Sequence, residues 1–216
     1  MRDLDSEMLH ELNARKHCNI YRKGSAIFHQ GNTPMGMFSV FSGKVKLFKT
    51  DDLGKEQIIR LAKPGDSIGY RSLLSGEAYH LGAEALEDTR ACFIPKALFS
   101  DLMNKGGNMF THIIKLLSED LKQAEHRIAA LAGKPVRERT AEALLVLRNF
   151  YGTTDDGVTI DIAISREDLA QMVGTATESV IRMLSEFKAD HLIEIKHKNI
   201  SVTNLSGLEK VANVQD

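Results

Sequence analysis

Glu178 and Arg182 lie one helical turn apart within SREDLAQMVGTATESVIRMLSEFK, residues 165–188. A carboxylate and a guanidinium at that spacing suit recognition rather than bond making. The guanidinium offers two parallel donors, which match guanine O6 and N7, and the carboxylate accepts from an amine such as cytosine N4. The pair can also brace each other. Ile181, if exposed, would favour a thymine methyl. Further along, Lys196-His197-Lys198 sets three basic side chains together, suited to phosphate contact. A plainer reading has Glu178 capping its helix and Arg182 pairing with it on a solvated face. No nucleophile–base pair, metal-ligand spacing or phosphate loop stands out, so an enzyme is not expected.

These residues need a scaffold, and the local sequence predicts one. Ser165 with Asp168 three residues on is close to a capping box, and Leu169, Ala170 and Val173 give the helix an apolar face. Gly174 breaks that helix in a tight turn. Thr175 is placed to cap a second helix, with Glu178 at the matching position and Val180, Ile181, Leu184 and Phe187 available for its buried side. Helix, glycine turn, helix is a helix-turn-helix, whose second helix can enter the DNA major groove. Leu192–Ile195 and Asn199–Thr203 read as a hairpin with the basic triplet at its tip, the position of a wing. Upstream, Val136–Phe150 reads as a helix and Val158–Ile162 as a short strand.

The first hundred residues have another character. Glycines recur from Gly24 to Gly82, and between them lie short strand-like segments: Ala26–Phe28, Met37–Phe41, Lys44–Leu47, Gln57–Leu61 and Ala91–Ile94. Gly31-Asn32, Ser42-Gly43 and Pro64-Gly65 are turn signals. Many short strands with regular turns predict a barrel or double-sheet roll. From Gly107 to Leu131 the pattern becomes helical. Phe110, Ile114, Leu117, Leu121, Ala124, Ile128 and Leu131 keep a heptad spacing, the narrow seam of a two-helix dimer rather than the broader stripe of a core-facing helix. Packing on its own domain is the alternative. Against the dimer, Asp120 at a g position would face Glu125 of a parallel partner. Gly133-Lys134-Pro135 ends the helix and makes a hinge.

Composition narrows the classes. The chain has 216 residues, 43% hydrophobic and 26% charged, with no Trp, as in ordinary globular proteins of one large or two small domains. No apolar run is long enough to cross a bilayer, the charged N-terminus is no secretory signal, and no membrane partner is expected. Two cysteines cannot form a disulfide framework, so the reducing cytoplasm is the expected compartment. Cys92 reads as a small buried hydrophobe in a strand, and Cys18 lies in a polar segment. The formal charge is −1, but residues 134–216 hold ten Lys and Arg against thirteen Asp and Glu and are formally −3. DNA affinity would therefore need local positive charge, from Arg182, Lys188, Lys196 and Lys198.

Taken in order, SGKVKLF, KPGDSIG, the long helix and DLAQMVGTATESVIRMLSEF with its hairpin resemble the cyclic-AMP receptor/fumarate-nitrate regulator (Crp–Fnr) family of transcription regulators, from about Ile20 to the C-terminus. The resemblance implies an α+β chain. Residues 1–106 would form an N-terminal β-roll, a cyclic-nucleotide-binding-like jelly roll, with an N-terminal helix. Residues 107–133 would form the dimerisation helix, and 134–216 a C-terminal winged helix-turn-helix. It implies a homodimer on double-stranded DNA, with RNA polymerase as a further partner. The family's base-reading positions fall on Thr177, Glu178, Ile181 and Arg182, with Ser179 in the same contacting set and Lys196 and Lys198 on the wing. A GA-containing half-site is implied.

The resemblance also bears on the effector. Cyclic-nucleotide-binding relatives hold ribose through a Gly-Glu-Leu and the cyclic phosphate through an Arg-Ser pair. Here the first element reads Gly69-Tyr70-Arg71, and the second falls near Leu81-Gly82 without the arginine. Cyclic AMP is not expected in the usual mode. Arg71 could still meet an anion, or pair at the surface with Glu77 or Glu84. A four-cysteine iron–sulfur cluster is not expected from two cysteines. His29, His80 and Met35 are conceivable haem ligands. The competing function is an effector-binding module whose winged helix docks a protein instead of DNA.

Overall fold

The computed structural model describes residues 6–104 and 108–213. The expected boundary at 106/107 lies outside them. The chain forms two compact units that divide within the long helix, between Gln123 and Ala124.

The first unit opens with helix α1 (Ser6–Arg15) and strands β1 (His17–Tyr21), β2 (Ala26–Phe28), β3 (Gly36–Ser42), β4 (Val45–Thr50), β5 (Glu56–Ala62) and β6 (Ser67–Ile68). Helix α2 (Tyr70–Ser75), strands β7 (Gly82–Ala85) and β8 (Thr89–Pro95), and helix α3 (Lys96–Asn104) follow. Two antiparallel four-stranded sheets, ordered β1-β8-β3-β6 and β2-β7-β4-β5, form the roll. Alternation along the strands turns Phe38, Val40, Val45, Leu47, Ala83 and Ala91 into one shared core. A second cluster lies where α1, α2 and α3 meet the roll, and Met109 and Ile113 of helix α4 (Asn108–Gly133) join it.

The second unit takes in the end of α4, then α5 (Val136–Tyr151), α6 (Arg166–Val173), α7 (Thr177–Ala189), strands β9 (Ile193–Lys196) and β10 (Asn199–Val202), and α8 (Leu205–Ala212). Leu144, Leu147, Leu169, Val180, Leu184, Phe187, Ile193, Ile200 and Leu208 are its buried apolar residues. Two local expectations fail here. Val158–Ile162 is not a strand: only Thr159 and Ile160 make isolated bridges, to Ser201 and Thr153. Asp156 explains this, since it draws in the amides of Val158 and Thr159 at 2.9 and 2.8 Å and closes a loop. Thr175 does not cap α7 either. The cap position belongs to Ala176, which has no side-chain acceptor.

Candidate nucleic-acid interface and effector pocket

The helix-turn-helix is built from its caps outward. Ser165 Oγ accepts from the Asp168 amide at 2.9 Å and donates to Asp168 Oδ2 at 2.6 Å, a reciprocal start for α6. Gly174 ends α6 at φ 71°, in the left-handed region where glycine carries no Cβ penalty. The carbonyls at this helix end are taken by two guanidinium groups. Arg127 donates to Met172 O at 2.5 Å, and Arg139 to Val173 O at 3.2 Å and Gly174 O at 3.5 Å. Positive charge at a helix C-terminus also meets the favourable end of its dipole.

From that turn α7 runs with Val180, Met183, Leu184 and Phe187 buried and Glu178, Ile181 and Arg182 exposed. Thr177 and Ser179 are half-buried on its first turn. Ile181 therefore belongs to the outer face and not to the core. Neither Glu178 nor Arg182 has a hydrogen-bond or ion-pair partner among the described residues, so both keep their full recognition capacity. The opposite end of α7 is anchored: Arg137 reaches Glu186 at 2.7 Å and Asp190 at 2.6 Å, and its guanidinium lies 5.0 Å from the Phe187 ring centre.

β9 and β10 pair with Lys196 opposite Asn199, leaving His197 and Lys198 as a two-residue turn with His197 at φ 56°. Lys196, His197 and Lys198 are all exposed. Arg166, at the start of α6, donates to His197 O at 3.2 Å and ties the wing tip to the helix-turn-helix. Lys188, expected as free positive charge, lies 4.0 Å from Glu194. Three of the thirteen acids of residues 134–216 are also matched internally, Glu142 by Lys134 and His126, and Glu186 and Asp190 by Arg137.

Comparison with known proteins places this geometry. The cyclic nucleotide-binding domain family matches residues 19–105, and the Crp-like helix-turn-helix domain family matches residues 138–211. The two stretches make up most of the chain, in tandem. The chain belongs to the Crp–Fnr family of transcription regulators. Among curated relatives, it is 26% identical over 194 residues to the fumarate and nitrate reduction regulatory protein of Vibrio cholerae, covering 89% of this chain and 77% of that protein. It is 29% identical over 182 residues to the transcriptional activator protein anr of Pseudomonas aeruginosa, covering 84% and 74%. FixK2 from Bradyrhizobium japonicum shares its fold at a TM-score of 0.83, with 23% identity over 93% of this chain and 99% of that one. The transcriptional regulator TTHA1359 from Thermus thermophilus superposes at 0.78, with 25% identity over 93% and 100%. These likenesses do not favour an enzyme or a protein-docking winged helix.

In this Crp–Fnr regulator the roll's candidate effector pocket is small. Gly69, Tyr70 and Arg71 line it with Phe28, Arg60, Ser72, Tyr79 and His80, and the cavity measures about 30 Å³. Drug-sized and cofactor ligands usually need roughly 300–1,000 Å³. Aromatic rings take up the room. Tyr79 stacks on Phe28 with ring centres 4.2 Å apart and donates its hydroxyl to Gly36 O at 2.6 Å. Burial pushes the Tyr79 phenol up to about 12. Gly69 sits at φ +81°, and a Cβ there would meet Tyr79 Cε1 at 3.0 Å. Arg71 does not pair with Glu77 or Glu84. It lies 3.8 Å from Asp120 of α4, which also accepts from Tyr70 Oη at 2.6 Å. Burial and that neighbouring carboxylate both hold the Tyr70 phenol well above its ordinary value. Glu77 instead holds His80 at 2.6 Å, while Met35 and His29 stand at the surface.

The long helix has two apolar faces. Met109 and Ile113 are buried in the roll's lower cluster, and Leu116 and Leu117 pack against it. Phe110, Ile114, Leu121, Ala124, Ile128 and Leu131 remain exposed, Leu121 by 60% and Ile128 by 67%. The predicted seam is thus uncovered within one chain except at Leu117. Asp120 turns toward Arg60 and Tyr70 of its own chain rather than outward along the helix.

The cysteines depart from expectation. Cys18 and Cys92 are bonded to each other across β1 and β8, with Cα atoms 3.9 Å apart. Antiparallel register sets them directly opposite, which no sequence separation of 74 residues reveals. Cys92 is buried, as predicted, but is not a free thiol.

Proposed function

We propose that this regulator works in the cytoplasm as a homodimer joined along the exposed face of α4 and binds a two-fold-related DNA site with RNA polymerase as a protein partner. Each subunit lays α7 in the major groove, with the two half-sites about one helical turn apart. Arg182 gives both donors to a guanine, and Glu178 accepts from a cytosine amine on the facing strand, which reads a GA-containing half-site. Thr177, Ser179 and Ile181 tune the flanking bases, and Lys196 and Lys198 hold phosphates. The observation that carries this reading is the exposed, unpartnered Glu178 and Arg182 on one face of a helix whose other face is locked in the core. The formal charge of −3 over residues 134–216 argues for weak non-specific binding, so that useful affinity needs both half-sites. The roll does not take cyclic AMP in the usual mode. The 30 Å³ cavity and the sequence Gly69-Tyr70-Arg71 support this. A four-cysteine cluster is likewise not part of the reading, because the sequence supplies two cysteines where such a cluster takes four thiolates.

Selection from random duplex DNA tests the reading, with and without cyclic AMP. Enrichment of an inverted repeat, independent of the nucleotide, is expected. Arg182→Ala should then lose on the order of 1–3 kcal/mol per half-site at its guanine. Recovery of no motif, or equal loss on random DNA, overturns it.

A further inference from the structure

We propose that the roll is self-liganded: Asp120 of α4 is a tethered carboxylate seated in an anion site made by Arg60, Tyr70 and Arg71. The three groups come from two elements, and they meet Asp120 through one hydrogen bond and two ion pairs. Arg60 lies on β5, and Tyr70 and Arg71 open α2 right after the left-handed Gly69. Asp120 Oδ2 takes the Tyr70 hydroxyl at 2.6 Å and faces Arg71 Nε at 3.8 Å, while Oδ1 faces Arg60 Nε at 3.4 Å. The Asp120 side chain is only 9% exposed, that of Arg60 14%, and Tyr70 is buried. A carboxylate is withdrawn from water this far only when cations and hydrogen bonds replace its hydration. Both oxygens are so served, one by an arginine and the other by a hydroxyl and an arginine.

The same donors line the pocket that closes to about 30 Å³. Two guanidinium groups and a hydroxyl suit an anion, and the carboxylate they meet is carried by α4 of the same chain. Tethering replaces a free ligand's concentration by a fixed local one. The roll's hold on the first half of α4 then needs no diffusible effector. Removing the Asp120 side chain leaves a vacancy with two guanidinium groups and a hydroxyl, and the occupant that fits is a small monocarboxylate such as formate or acetate.

The test is chemical rescue of the full-length chain. D120A is expected to melt roughly 5–10 °C below the native chain, since two cations lose a buried partner. Formate or acetate should recover much of that loss in D120A, chloride at equal ionic strength should not, and the native chain should respond to neither. D120A combined with Arg60→Met should lose the rescue. If D120A does not fold in chloride, its refolding yield in acetate reads the same quantity. D120N keeps the shape without the charge, so a native-like melting temperature in D120N overturns the proposal, as does a D120A that no carboxylate restores. The link to regulation rests on the proposed reading of this chain as a DNA-binding dimer. Operator affinity of D120A should rise with acetate while that of the native chain stays flat. Rescue of melting with no operator binding by either chain would sink the DNA reading alone. Operator binding by the native chain with no rescue of D120A would sink the tethered ligand alone.

Discussion

Arg139 holds the base of the recognition unit, and its removal has a calculable effect. Its guanidinium donates to four carbonyls: Lys134 O at 3.0 Å, Val173 O at 3.2 Å, Leu131 O at 3.4 Å and Gly174 O at 3.5 Å. Two of these lie in the Val173-Gly174 corner where α6 ends, and two at the end of α4. Only the two shorter bonds have good geometry, and bonds from a charged donor contribute about 1.5–3 kcal/mol each. Arg139 is half-buried, so the lower figure applies, and Arg139→Ala should cost about 3 kcal/mol. Lysine cannot replace it, because one ammonium cannot span carbonyls on two helix ends. The loss should concentrate locally. Amides of α6 and the first turn of α7 should exchange faster by about two orders of magnitude, at 1.4 kcal/mol per tenfold. Those of β9 and β10 should change less. Hydrogen exchange read by mass spectrometry, with a urea melt beside it, resolves this. Operator affinity should fall as Arg182 loses its fixed bearing on the groove. Unchanged protection of α6 together with a stability loss below about 0.5 kcal/mol would refute the reasoning, since that is the scale of an ordinary surface substitution.

Three other outcomes are expected. Lys198→Ala should weaken binding to all sequences alike and reduce the salt slope by about 0.9 per half-site, the value of one phosphate contact; an identical slope removes the wing from the interface. Leu121→Asp should break the dimer in sedimentation without unfolding the subunit, because Leu121 is exposed in one chain and would bury a charge only against a second copy. Leu117 is the poorer probe, since it also packs on the roll. Asp156 is held below the usual carboxylate range, first by the Thr159 hydroxyl and then by the Thr159 and Val158 amides. A depressed value stabilises the fold above the unfolded pKa near ~3.9 and the benefit is lost as pH falls through the folded one. In a carboxylate NMR titration Asp156 should therefore remain ionised at pH values where exposed aspartates have protonated.

What the sequence could show depended on whether the signal was local. Gly174, the Ser165–Asp168 cap and the alternation in Ile193–Lys196 report on neighbours in the chain, so the helix-turn-helix and wing were legible from residue order alone. The apolar heptad of the long helix was legible too, because it is periodic, but the helix carries a second, shorter pattern through Met109, Ile113 and Leu116 that the heptad masks. The disulfide and the role of Asp120 were not legible. Cys18 meets Cys92 only through the strand order β1-β8, and Asp120 meets Arg60 and Tyr70 only because β5, α2 and α4 converge. Read along the helix, Asp120 is one more solvated acid, and the heptad sets it against Glu125 of a second copy. A charge's meaning is set by what surrounds it in three dimensions. Here the surroundings remove a mark against the proposed dimer: of the two acids at flanking positions, Asp120 and Glu125, the first is paired inside its own chain and leaves a less repulsive edge to a second copy.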